Sequence, residues 1–201
     1  LPTTLDEVKE QARILHALQQ TEPNHVLAAF VAIYLFKQTF AIPGSFLLNI
    51  LAGAIYGRVG FLLVGPLTAI GASFCYMLSA SIGGPLIERF LPHRLETMRA
   101  AIHARQDVLI YYLICLRLFP FTPNWFVNIT SPHIDVPLGQ FFFSMLIGSM
   151  PYNFVSSQSG QILRELQSAS DVLKPSTLAM LCAISVAALL PMLFQRRVRA
   201  W

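Results

Sequence analysis

Apolar runs too short to cross a bilayer alternate with breaks along this chain. Val26 to Phe40 is apolar apart from Lys37 and Gln38, and it stops at Pro43-Gly44-Ser45. Phe46 to Tyr56 is apolar again and stops at Gly57-Arg58. A spanning helix needs about 20 apolar residues, so neither piece spans alone. Residues 26–57 are expected to form a re-entrant unit that enters, breaks at membrane depth at Pro43 and Gly44, and returns. One kinked span is the alternative. Residues 60–82 form an uninterrupted span, whose small residues Gly65, Ala69, Gly71, Ala72, Ser73 and Ala80 permit close helix packing.

The second half repeats the alternation. In residues 88–105, Leu91, Leu95, Met98 and Ile102 make a narrow apolar stripe, with Arg94, Arg99 and Arg105 around it. This is an amphipathic helix, lying on the membrane surface or packed against another part of the protein. Residues 108–134 then hold another sub-length apolar piece that runs into Arg117-Leu-Phe-Pro-Phe-Thr-Pro-Asn-Trp-Phe-Val-Asn-Ile-Thr-Ser-Pro132. Polar residues and helix breakers inside apolar flanks predict a second re-entrant unit, broken at Pro120 and Pro123. Residues 138–158 and 177–194 read as further spans. Residues 1–25 read as an interfacial lead-in helix with a modest stripe of Val8, Ala12, Leu15 and Leu18.

The two broken regions resemble each other. Phe40 to Ile50 aligns with Phe119 to Ile129 at a constant offset of 79, matching Phe40 with Phe119, Phe46 with Trp125 and Asn49 with Asn128. In the helices that follow, Gly71 to Gly83 has the same spacing as Gly148 to Gly160. A re-entrant unit leaves on the side it entered and the 60–82 span then crosses. The second unit therefore starts from the opposite side, which is an inverted-topology repeat. Two broken helices facing each other near mid-bilayer require a polar cavity, because unwound backbone there must be buried in protein or wet. Arg117, Asn124, Asn128, Asn49 and Ser45 are the expected lining.

Composition fits a membrane protein. Of 201 residues, 55% are hydrophobic and 12% charged, against about 25% charged in a soluble domain. The net charge of +4 bears on topology and anionic headgroups and not on nucleic acid. The basic residues Arg89, Arg94, Arg99, Arg105, Arg196, Arg197 and Arg199 share one side of the counted topology, so the amphipathic helix and C-terminus are expected in the cytosol. Leu1 is then luminal, and a span or signal upstream of it is expected. Cys75, Cys115 and Cys182 lie singly, without pairing or metal-ligand spacing.

Arg117 is the residue with the most chemistry. A guanidinium fits phosphate, and an ionisable residue at membrane depth is by default a functional candidate. Structurally it would instead answer carbonyls freed by Pro120 and Pro123, or pair with Asp135. Lys37 is expected to snorkel to the interface, and Asp135 to cap or pair. Asn128-Ile129-Thr130 matches a glycosylation sequon, against which its expected burial argues. Phe141, Phe142 and Phe143 are expected to face lipid. The five histidines have no nucleophile or metal partner at useful spacing. No phosphate-binding loop, catalytic triad, metal cluster or cofactor motif is present, so no enzyme is expected.

Phe36–Phe46 (FKQTFAIPGSF), Gly71–Ser79 (GASFCYMLS) and Leu116–Pro132 resemble the VTT domain, or SNARE-associated Golgi protein domain, of the DedA superfamily, in its eukaryotic endoplasmic-reticulum branch. The resemblance runs from about residue 26 to residue 199. It implies two facing re-entrant elements, passive phospholipid scrambling in the endoplasmic-reticulum membrane, and support of autophagosome formation and lipid mobilisation. The positions it carries over are Pro43, Gly44, Arg117, Pro120, Pro123, Asn124 and Asn128. Members of that branch have a further N-terminal span. Bacterial relatives carry acidic residues by the first break and are thought to be proton-coupled. Here the only carboxylates between Lys37 and Asp107 are Glu88 and Glu96, which disfavours coupling. The expected partners are membrane phospholipids, anionic headgroups at the amphipathic helix and basic tail, and membrane proteins or further copies of the chain. Alternatives are an ion- or proton-coupled transporter and a non-transporting assembly factor.

Overall fold

A computed structural model describes residue 14 and residues 17–90, 92–119 and 122–165. All regular structure among them is helical. The expected 177–194 span, the basic tail, Pro120 and most of the lead-in helix lie outside the described residues.

The first break falls where expected. Helix α1, Pro23–Thr39, ends as Ala41 turns to φ 52 and the Ile42 N–H donates to the Lys37 carbonyl. Pro43 cannot continue a helix ladder. Gly44 sits at φ 109, a conformation open to glycine at little cost. Helix α2, Ser45–Tyr56, then starts, and it stops at Gly57, φ 59. Helix α3, Arg58–Leu78, continues through a π-turn at Ser79–Gly83. Its run, Arg58–Gly83, is the one helix among the described residues long and apolar enough to cross a membrane.

Pro92 begins a new helix. Residues 88–105 are therefore two pieces, α4 (Gly84–Phe90) and α5 (Pro92–His103), not one. Helix α6, Leu109–Leu118, follows, and then the second break. Phe119 and Pro123 are extended, and α7 runs Asn124–Thr130. The residue before a proline is driven out of helical geometry, which fits Phe119 ahead of Pro120. After a 3-10 turn at Ser131–Ile134 come α8 (Leu138–Gly148) and α9 (Met150–Glu165). The expected 138–158 span is thus two helices meeting at Ser149. Pro151 has no N–H to give residue 147, and its ring crowds that carbonyl.

The helices sort into two compact units. One comprises 32–43 and 65–150. Its core is Ala69, Ala72, Ile87, Leu95, Ile102, Leu109, Leu113, Ile134, Val136, Phe141 and Met145. Leu95 and Ile102 are 6% and 3% exposed, with Met98 packed beside them. The apolar stripe of α5 therefore serves this core and not a lipid surface. Tyr34 is fully buried and hydrogen-bonds Thr68 at 2.8 Å, joining the end of α1 to α3. Tyr76 Oη donates to the Val136 carbonyl at 2.7 Å.

In the other unit, which among the described residues holds 14, 17–31, 44–64 and 151–165, α2 meets α9 at backbone contact. A Cβ on Gly53 would fall on the Ser157 carbonyl, and one on Gly160 on the Ile50 carbonyl. Small residues at both positions let the two backbones touch. Ala52, Ala54 and Ile55 of α2 are buried there, as is Ile162 of α9.

Candidate functional site

Arg117 lies one turn before the second break, on the face of α6 that meets α8. Gly148 makes room for it, since a Cβ there would come within 2.9 Å of the Arg117 Cβ. The side chain is 6% exposed. Nε donates to Ser144 Oγ at 3.1 Å. Nη1 donates to Asn128 Oδ1 and to Met145 Sδ, each at 3.3 Å. The guanidinium carbon stands 4.6 Å from the centre of the Phe141 ring, a cation–π contact. Nη2 is buried and has no hydrogen-bond partner among the described residues.

Several expectations change here. Arg117 does not pair with Asp135, which is met by Arg99 Nε at 3.2 Å and His103 Nε2 at 3.0 Å, about half exposed. Such exposed pairs contribute about 0–1 kcal/mol. Phe141 is fully buried and also packs against Tyr76, so it does not face lipid. The buried positions 141, 144, 145 and 148 recur with helical period, and Phe143, off that face, is 53% exposed. The aromatic triplet masked this phase. Lys37 does not snorkel. It is 7% exposed and donates from Nζ to Gln38 Oε1 at 3.0 Å.

Of the five expected lining residues, the structure brings Arg117 and Asn128 together. Asn49, fully buried, belongs to the other unit and donates from Nδ2 to Asn153 Oδ1 at 3.0 Å and Ser156 Oγ at 2.9 Å. Ser45 is half-buried at the start of α2, and Asn124 is exposed at the start of α7. Pro43, Gly44 and Pro123 are exposed at the two breaks. Asn128 is 4% exposed, so in the folded protein its amide nitrogen is not accessible to glycosylation.

Ser144, Met145, Asn153 and Ser156 were absent from the expected site. For α9 the signal was present. Asn153, Ser156, Ser157, Gly160 and Gln161 share one helical face, although the segment reads first as a polar tail to a span. Asn49→Ala removes its hydrogen bonds to Asn153 and Ser156, at a cost of about 1 kcal/mol each. A lowered unfolding midpoint of the purified protein checks this.

Two histidines also find partners far away in sequence. His133 Nε2 lies 3.1 Å from Ser79 Oγ, which gives its own proton to the Ile129 carbonyl at 2.7 Å. The imidazole N–H is therefore the donor in that pair, and the π-turn is tied to the end of α7. No group of His, Cys, Asp or Glu among the described residues could hold a metal ion.

The family model for the VTT domain matches residues 42–162. Over 200 residues, 99% of this chain, the sequence is 38% identical to Transmembrane protein 41B of Danio rerio, covering 71% of that protein. It is equally similar to Transmembrane protein 41B of Gallus gallus and Homo sapiens, covering 74% and 69% of them. No solved structure matches the chain. With this similarity over nearly its full length, and with broken apolar helices where the VTT match lies, the chain belongs to the VTT-domain family of membrane proteins.

Proposed function

We propose that this chain is a phospholipid scramblase of the endoplasmic-reticulum membrane, moving lipids passively between leaflets without catalysing a reaction. On this reading it supports autophagosome formation and lipid mobilisation, and its C-terminus is cytosolic. The observation that carries the proposal is the Arg117 cage. It holds a buried guanidinium beside a broken helix, with no carboxylate at ion-pair distance among the described residues and with Nη2 unanswered. Burying such a charge costs several kcal/mol, and a passing headgroup phosphate supplies the missing acceptor.

The inverted repeat belongs to the same proposal. Residues at the repeat spacing make matching contacts. A Cβ on Gly71 would meet the Gln38 stem as one on Gly148 would meet the Arg117 stem. Ser79 and Gly160 are not equivalent positions, but they touch the equivalent carbonyls of Ile129 and Ile50. A helix that follows each break thus touches the broken segment of the other repeat, which favours two exchanged halves over two unrelated pieces. On the same reading, anionic headgroups are the partners of the basic residues, among them Arg89 and the tail Arg196, Arg197 and Arg199, and membrane proteins or further copies are candidate partners.

A coupled transporter needs a titrating group in the path, and the Arg117 cage offers no carboxylate. Scrambling is therefore expected to run equally fast with and without an imposed pH gradient across reconstituted liposomes. Lipid movement that stops when the gradient is collapsed would overturn the passive mechanism.

A further inference from the structure

Each of the five guanidinium hydrogens of Arg117 can be assigned a place. A guanidinium binds an oxyanion two-pronged along either of two edges, Nε with Nη2 or Nη1 with Nη2. Ser144 takes Nε, and Asn128 and Met145 take Nη1. Both edges are thus half-occupied, and the two hydrogens of Nη2 are what remains. The hydrogen-bond and ring partners of the side chain among the described residues are all neutral: a serine hydroxyl, an amide oxygen, a thioether and an aromatic face. The cage therefore holds one positive charge and offers it through one nitrogen.

We propose that Arg117 selects phosphodiester headgroups over phosphomonoesters. A diester carries one negative charge and is neutralised by one guanidinium. A monoester carries about −1.5 to −2 near neutral pH, so its second charge enters a buried, neutral site uncompensated, which is costly. The assignment rests on the scrambling reading for its natural ligand, a diester phospholipid. It adds that phosphatidic acid and other monoester lipids are poor cargo. Because Nη2 is covered, the anion reaches it when the side chains over the cage move aside.

The probes are dimethyl phosphate, a monoanionic diester, and methyl phosphate, a monoester that is a dianion at pH 8. Each is titrated against the full chain in nanodiscs while the unfolding midpoint is followed. Dimethyl phosphate is expected to raise the midpoint, with a half-saturating concentration about tenfold below that of methyl phosphate, equivalent to about 1.4 kcal/mol. Arg117→Gln abolishes the rise. Ser144→Ala frees Nε beside Nη2, completes a two-pronged edge and tightens both probes. This second variant carries the test if Arg117→Gln does not fold. Equal or stronger binding of methyl phosphate, no response to either probe, or unchanged affinity in Ser144→Ala overturns the proposal. Scrambling of a phosphatidylcholine tracer is measured separately. A moving tracer with the probes in the wrong order defeats the selectivity and leaves the scramblase. The right order with an immobile tracer does the reverse.

Discussion

Gly160→Ala is expected to destabilise the protein by about 3 kcal/mol, and Gly53→Ala by a similar amount. Replacing a helical glycine by alanine normally gains up to about 1 kcal/mol in helix propensity, so the sign depends on what the new methyl meets. At Gly160 it meets the Ile50 carbonyl, and at Gly53 the Ser157 carbonyl. Both are backbone atoms inside helices and cannot rotate away. The methyl is accommodated by separating α2 from α9. Overpacking of this kind costs about 1–3 kcal/mol. It also stretches the Asn49 bonds to Asn153 and Ser156, at about 1 kcal/mol each. The two substitutions open the same contact, so their effects are less than additive when combined. Gly139→Ala is the control, because its Cβ meets nothing within 4 Å and the propensity gain stands alone. Unfolding midpoints in detergent decide this. An unchanged midpoint in Gly160→Ala would mean that the backbones do not touch.

Arg117→Met separates the two roles open to the arginine. Methionine keeps an unbranched stem beside Gly148 and a polarisable sulfur over Phe141. Ser144 loses a donor but still gives its hydroxyl to the Phe141 carbonyl at 2.8 Å. Asn128 Oδ1 loses its partner, at about 1–3 kcal/mol. Against this, a buried cation without a counter-ion disappears, a relief of several kcal/mol. The midpoint is therefore expected to hold or rise. Scrambling is expected to fall about 10- to 100-fold, the equivalent of one charge-assisted hydrogen bond of about 1.5–3 kcal/mol. A variant that melts early yet scrambles normally would make Arg117 a structural residue alone.

The breaks were legible in the chain because proline and glycine act locally. Pro43, Gly44 and Pro123 need no tertiary context to end a helix, and both interruptions fall at them. Arg117 and Asn128 stood out as polar residues in apolar surroundings, and the structure joins them at 3.3 Å. Helical phase was harder to read. Phe141, Phe142 and Phe143 look alike in sequence, and only packing against α6 shows that Phe141 is the inward one. Lys37 defeated the snorkelling expectation because its neighbour Gln38 supplies an acceptor within the fold. The apolar stripe of residues 88–105 fits lipid or protein equally well, and the choice between them depends on a core assembled from residues as distant as Ala69 and Met145. Asn49 resembled a partner of Arg117 by repeat position. Its actual partners, Asn153 and Ser156, lie more than a hundred residues along the chain, where no local rule points.

Lipid crossing is read most directly in liposomes. The purified protein is reconstituted into liposomes carrying a trace of fluorescent phosphatidylcholine, and a membrane-impermeant quencher is added outside. With protein present, fluorescence is expected to fall past the half-accessible level toward complete loss, without nucleotide or ion gradient. A plateau at about half, identical to that of protein-free liposomes, would mean that the protein does not scramble phospholipids.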